Sequence, residues 1–268
     1  MNKRTGILAV LIVLLLAAAG YFYFSEKEQA PTPPAVDMNA VTPAPEPQPP
    51  VQVAEPSPPE PPPILHPIEA LPSTDPLPDL SHSDAPFTQA LGGILGKKGL
   101  ALVLSDDLIY HLVVTLDNLP RKHLPASVVP LKRAAGPFIV DGQGEVRTIA
   151  VSNAKRYAAF VTVAKNLDAE KVVEVYRRYY PLFQQAYKEL GYPDGNFNDR
   201  LVAVIDDLLA APDPEAPIRL EQPKILYQYA DPNLENRSAG QKIMMRIGKT
   251  NAAALKAKLT EIRRLISQ

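Results

Sequence analysis

Proline decides how much of this chain can fold. Between Pro31 and Leu80, eighteen of fifty residues are proline, interleaved with Ala, Val, Glu and Gln. Each proline fixes φ and removes a main-chain donor, so runs such as Pro47-Gln48-Pro49-Pro50 and Glu60-Pro61-Pro62-Pro63-Ile64 favour polyproline II with the backbone open to water. Such a stretch cannot bury a core. Extended at about 3.1 Å per residue, it reaches roughly 155 Å, and kinks shorten that average. The expectation is a spacer. The P-x-x-P matches at Pro47–Pro50, Pro56–Pro59 and Pro59–Pro62 follow from composition and do not by themselves mark a docking ligand.

On the N-terminal side of the spacer, Ile7 to Phe24 is an uninterrupted apolar run behind Lys3 and Arg4. Its rise, roughly 27 Å at about 1.5 Å per residue, approaches the hydrocarbon thickness of a bilayer and exceeds a signal-peptide core of about 7–15 residues. Small residues at Ala17-Ala18-Ala19-Gly20 would suit a signal peptidase, but the run continues through Tyr21-Phe22-Tyr23-Phe24, which suit an interfacial aromatic belt. The reading is therefore a retained signal anchor. Cationic residues before the span place residues 1–6 in the cytoplasm and everything after the span outside it. The run holds no Ser, Thr, His, Asp, Glu, Lys or Arg, whereas a helix that moves protons normally needs an ionisable group at depth, so a passive anchor is the better reading.

Charge divides along the chain. Ser25 to Asp84 carries ten acidic residues against Lys27 alone, whereas Ala85 to Gln268 carries twenty-five Lys and Arg against nineteen Asp and Glu. A mildly basic domain on an acidic leash is compatible with an anionic envelope component as partner, although dispersed basic residues also serve ordinary solubility. No nucleic-acid-binding module is recognisable, so nucleic acid is not expected as a partner. The chain has no Cys, which excludes disulfides, thiol catalysis and thiolate metal sites.

The expected organisation is thus a cytoplasmic N-terminus at 1–6, a transmembrane helix at 7–24, an acidic disordered linker at 25–84, and a folded domain at 85–268, large enough for one core. Helical periodicity dominates that domain. Ser105-Asp106-Asp107 predicts a helix start, with Leu108, Ile109, Leu112, Val113 and Leu116 as its buried stripe. Phe138 to Val140 and Val146 to Val151 flank Asp141-Gly142-Gln143-Gly144, a hairpin signal. Asp168 caps a long stretch in which Val172, Tyr176, Tyr179, Phe183 and Tyr187 recur at three-to-four spacing, and Pro181 should kink it or start a new helix. Asn198 or Asp199 is expected to cap Arg200 to Ala210. Ile218 to Leu220 and Lys224 to Tyr229 read as extended. Two helices follow, about Ala239–Ile247 and Asn251–Ile266, broken at Gly248. The fold class is mainly α with a small β-hairpin or extended element, α+β.

Several segments imitate chemical motifs. Leu91 to Lys98 lacks the first Gly and the hydroxyl of a phosphate loop. Asp194, Asn196 and Asn198 match the opening ligands of a calcium loop, but Asp199 and Ile205 stand where Gly and Glu belong, so a turn and helix cap explain them better. Asp106-Asp107 and Asp206-Asp207 are neighbours about 100° apart on a helix and do not converge. His111 and His123 are the only imidazoles of the domain and no Cys completes a metal set, so neither a metal site nor a Ser-His-Asp triad is expected. Among Tyr176, Tyr179, Tyr180, Tyr187 and Tyr192, a core role outweighs a binding face. The loop Gly191 to Arg200 is the densest cluster of turn formers and exposed-looking aromatics, and Tyr192, Asp194, Asn196 and Arg200 are its candidate partner-binding residues.

The strings SDDLIYHLVVTLDNLP, YYPLFQQAYKELGYPDGNFNDRLVAVIDDLLAAP, QPKILYQYADP and SAGQKIMMRIGKTNAAALKAKL together resemble a bacterial family known as domain of unknown function 3014, over roughly Phe87 to Leu265. The resemblance implies a proline-linked, single-pass envelope protein of Gram-negative bacteria, with its domain in the periplasm. It implies no catalytic residue and no cofactor. The expected role is a binding or scaffold domain that engages an envelope protein or an anionic envelope component; the alternative is an envelope hydrolase acting on peptidoglycan or its precursors.

Overall fold

The computed structural model describes residues 62–72, 76–144 and 146–267. The expected membrane span at 7–24 and the linker up to residue 61 lie outside them. No helix among the described residues is long and apolar enough to cross a membrane. The helices are α1 (Asp84–Leu100), α2 (Leu108–Asn118), α3 (Ala158–Lys165), α4 (Ala169–Glu189), α5 (Phe197–Leu209), the short α6 (Pro232–Glu235), α7 (Ala239–Arg246) and α8 (Lys249–Ile266). The strands are β1 (Val140–Gln143), β2 (Val146–Ile149), β3 (Arg219–Glu221) and β4 (Gln228–Tyr229). The fold is mainly helical with a small antiparallel sheet.

Helix α8 is the common partner, packing on α3, α4 and α5 through Leu255, Leu259, Ile262 and Ile266. The expected stripe of α2 is fully buried, from Leu108 to Leu116. Its start differs from expectation. Asp107 adopts a left-handed conformation (φ 46°) and caps nothing with its own side chain. The Asp84 carboxylate, from the first turn of α1, instead accepts the N–H groups of Asp107 (2.9 Å) and Leu108 (2.8 Å). A helix N-terminus needs an acceptor for its orphan donors, and here tertiary packing supplies one from 23 residues upstream.

Asp168 caps α4 as expected, accepting from Glu170 and Lys171 N–H. Those donors hold its carboxyl below the usual value. Pro181 neither kinks α4 into two elements nor starts a new one; the helix runs through it with Pro181 on the exposed side. The buried face on both sides of it, Val172, Tyr176, Tyr179, Phe183 and Tyr187, is held by packing that outweighs one missing hydrogen bond. Phe183 stacks on Phe197 of α5 at 5.5 Å, and Tyr176 and Phe87 meet Phe183 edge-on. Tyr176, Tyr179 and Tyr187 therefore belong to the core.

A hairpin forms where expected but with its strand displaced: Asp141 to Gln143, expected in the turn, belong to β1, whereas Phe138 and Ile139, expected as strand, precede it. Strands β3 and β4 extend it into a sheet of order β1-β2-β3-β4, every pair antiparallel. Gly142 of β1 pairs with Arg147 at φ 90°, and a Cβ there would stand 2.0 Å from the Val146 carbonyl oxygen, so the close approach of the two strands next to the turn demands glycine. One face of the sheet covers a small second core of Phe138, Leu220, Tyr229 and Met245.

The linker expected to run to residue 84 joins the fold earlier. The N–H groups of Leu65 and His66 donate to Asp199, Leu71 N–H donates to the Arg177 carbonyl, and Ile68, Leu77 and Leu80 pack against the core. Apolar residues spaced between the prolines provide anchors, and side chains of α4 and α5 take the main-chain groups that no ladder satisfies.

Candidate functional site

The loop between α4 and α5 is stitched into the domain rather than presented from it. Gly191 takes φ 113°, a conformation open to glycine. Gln184 on α4 donates through Nε2 to Gly195 O (2.7 Å) and accepts Phe197 N–H (2.8 Å) and the Tyr180 hydroxyl (3.1 Å). The cap of α5 is Asn196, whose Oδ1 accepts Asp199 N–H at 3.0 Å while its Nδ2 donates to Tyr180. The helix starts at Phe197, so neither Asn198 nor Asp199 is the cap that the spacing suggested. Asn198 lies one turn position inside and is wholly buried, and Asp199 turns to the preceding chain.

Two more of the four candidates serve a buried carboxylate. Asp117, near the end of α2, is 2% exposed and accepts from Arg200 Nε (2.9 Å), the Tyr192 hydroxyl (3.2 Å) and Arg121 Nη2. Arg200 Nη2 also donates to the Asp117 carbonyl oxygen at 2.6 Å. The Tyr192 ring stacks on Tyr187 with centroids 4.5 Å apart. The field of Asp117 pushes the Arg121 guanidinium further up. Tyr192 and Arg200, expected to be free for a partner, thus have structural work: they neutralise and solvate a charge that burial alone would make costly. Of the four, Asp194 alone is exposed. The i,i+4 relation of Asp117 and Arg121 was visible in sequence; the partnership with Arg200, 83 residues away, was not.

The acidic neighbours diverge as helical geometry requires. Asp206 pairs with Arg263 of α8, at 2.9 Å from Nη2. Asp207 turns inward and accepts from the Ser238 hydroxyl (2.7 Å) and Gln241 Nε2 (2.9 Å), holding the Ser238 side chain that caps α7, and burial raises its carboxyl above the usual value. His111 is held by the Asp106 carbonyl at 2.9 Å. Among the described residues no group of three or more His, Asp or Glu is placed to hold a metal ion.

A different feature has the shape of a binding site. Between the sheet and the α7–α8 turn opens a groove of about 590 Å³. Ile149, Val151, Ile218, Met244, Pro212 and Pro214 form its walls, and the Asp213–Lys249 ion pair, 2.9 Å, stands on the rim. Val151 is 85% exposed. Gly248, at φ 88°, breaks α7 from α8 and lets the first turn of α8 form one side. The groove suits an apolar side chain backed by polar rim contacts. Sequence reading missed it because its walls come from three segments separated by some 60 and 25 residues, each unremarkable alone.

No curated protein and no solved structure matches the chain. The model of the family described as "Protein of unknown function (DUF3014)" matches residues 108–263, from the first buried turn of α2 to the last turns of α8. That span is more than half of the chain and contains the Asp117 cluster, the sheet and the groove, so this protein belongs to the DUF3014 family.

Proposed function

We propose that this protein is a membrane-anchored binding or scaffold domain of the bacterial envelope, held on the periplasmic side by its N-terminal apolar segment and set off from the bilayer by the proline-rich spacer. Its partner is a protein segment that seats an apolar side chain in the groove between the sheet and the α7–α8 turn. The observation that carries this reading is the groove itself, whose apolar walls run up to Val151, 85% exposed; a concave apolar surface with a few polar groups on its rim is the form in which proteins seat a ligand group. The hydrolase alternative has less support, because Asp117, Asp199, Asp206 and Asp207 are each engaged with other parts of the chain.

The test is site-specific photo-crosslinking in intact cells, with the reactive residue at Val151 or, as control, at exposed Glu174 on α4. A discrete adduct at position 151, missing at 174 and lost on Ile218→Lys, is the expected result. Equal labelling at both positions would refute the groove as the partner site. Topology is tested separately: a reporter active only outside the cytoplasm, fused after Gln268, should be active, and the protein should resist alkaline extraction.

A further inference from the structure

The chain immediately before the domain lies as a strap across α4, α5 and the end of α8, and its contacts are those of a peptide in a receptor. Two successive main-chain donors, Leu65 N–H (3.0 Å) and His66 N–H (2.6 Å), reach the two oxygens of one carboxylate, Asp199. The His66 carbonyl accepts from Asn198 Nδ2 at 2.9 Å. Arg177 contributes twice: its Nε donates to the Glu69 carbonyl (2.9 Å), and its own carbonyl accepts Leu71 N–H (3.2 Å). Ile68 is the apolar insertion between them.

The receptor side is pre-organised. Asn198 is wholly buried, oriented by the Tyr176 hydroxyl on its Oδ1 (3.1 Å) and by a second Nδ2 bond to the Ile266 carbonyl (2.8 Å). Asp199 and Arg177 project from helices, which hold them more firmly than a loop would. Pro67 falls between the bonded positions and Pro72 just after the last of them, where no N–H is required. Main-chain bonds for affinity, one apolar pocket for register and proline to limit the entropy lost on binding are the means by which extended segments are recognised.

We propose that this surface of α4 and α5 is a peptide-binding site for segment 64–71 of this chain, and that it accepts the segment from a second copy as well as from its own, so that neighbouring copies exchange straps. The second copy is the occupant because each chain carries both a complete site and a fitting ligand. The contact in cis is also reversible, since it rests on five hydrogen bonds and the half-buried side chains of Ile68, Leu77 and Leu80 rather than on a continuous ladder. Released as far as Ser83, a strap extended at about 3.3 Å per residue spans a distance comparable to a domain diameter, enough to reach an adjacent molecule. This inference does not depend on the groove beside β2.

The experiment uses the full chain in vesicles, as a mixture of two differently tagged copies, with a photo-crosslinking residue at Leu65, whose side chain is 71% exposed. The expected product is a covalent dimer bearing both tags, with a yield that rises with protein density. A synthetic peptide of residues 62–72 should compete for it, and Asp199→Ala and Arg177→Ala should each reduce it about tenfold, the loss of roughly one charge-assisted hydrogen bond. Adducts confined to single chains at every density would overturn the exchange. Dimers that persist in both variants and in excess peptide would overturn it equally, since they would arise from another contact.

Discussion

Arg200→Ala tests most directly what the loop between α4 and α5 is for. In the folded chain Arg200 makes two bonds to Asp117, one to its carboxylate at 2.9 Å and one to its carbonyl at 2.6 Å, and Asp117 is 2% exposed. Removing one partner of a buried ion pair costs about 3–5 kcal/mol, because the remaining charge has lost water and gained nothing. Here Arg121, half exposed, and the Tyr192 hydroxyl remain on Asp117, which lowers the expected loss to about 2–3 kcal/mol. For a domain of this size each kcal/mol shifts the melting temperature by about 2–4 °C, so the variant should melt roughly 5–10 °C lower. Thermal melts at neutral pH measure it. In an Asp117→Asn background the same Arg200→Ala change should cost less than about 1 kcal/mol, because the charge it neutralised is gone. An Arg200→Ala variant that melts with the wild type, or an equal cost in both backgrounds, would refute the buried-carboxylate account and return Arg200 to the list of recognition residues.

A chain beginning at Ser83, which keeps the Asp84 cap of α2, should be less stable than one beginning at Pro62 by about 2–4 kcal/mol in urea titrations, because Ile68, Leu77 and Leu80 lose half-buried contacts and Asn198 loses a partner. Equal midpoints would show that the strap adds nothing. Tyr229 is fully enclosed, its hydroxyl donates to the Lys242 carbonyl, and burial pushes its pKa up to about 12. The folded value is raised, so its contribution is complete below about pH 10 and is lost as pH climbs from there towards 12, reaching about 3 kcal/mol; Tyr229→Phe should flatten that alkaline limb of the stability profile. Gly142→Ala, with a Cβ that would meet the Val146 oxygen at φ 90°, should cost about 1–3 kcal/mol and loosen amide-exchange protection in β1 and β2 while sparing α4 and α5. Asp168→Ala should cost about 1 kcal/mol through the lost cap of α4, a loss that fades in acid as the depressed Asp168 carboxyl of the wild type protonates.

Local rules were sufficient wherever the deciding interaction lies within a few residues. The stripe of α2, the Asp168 cap and the break at Gly248 follow from periodicity, a capping side chain or a glycine, and each is where the sequence places it, while the β1–β2 hairpin forms with its strand carried on through Gln143. Family membership was legible for a similar reason, since motif strings are linear objects. The misplaced features depend on distance in space. Asp84 caps α2, Asp199 receives Leu65 and His66, Arg200 answers Asp117, and α4 runs through Pro181 because its buried face is clamped by α2, α5 and α8. In each case a buried polar group or an orphan donor must be satisfied, and many polar residues along the chain are chemically eligible; only the folded chain chooses among them. The groove is the extreme case, for no single segment of its wall carries any mark of it. Residue types and spacings thus determine which elements form and which faces they bury. Which charges meet, where the folded unit begins and which surface stays open are settled by packing, because hydrogen bonding and desolvation act between neighbours in space rather than in sequence.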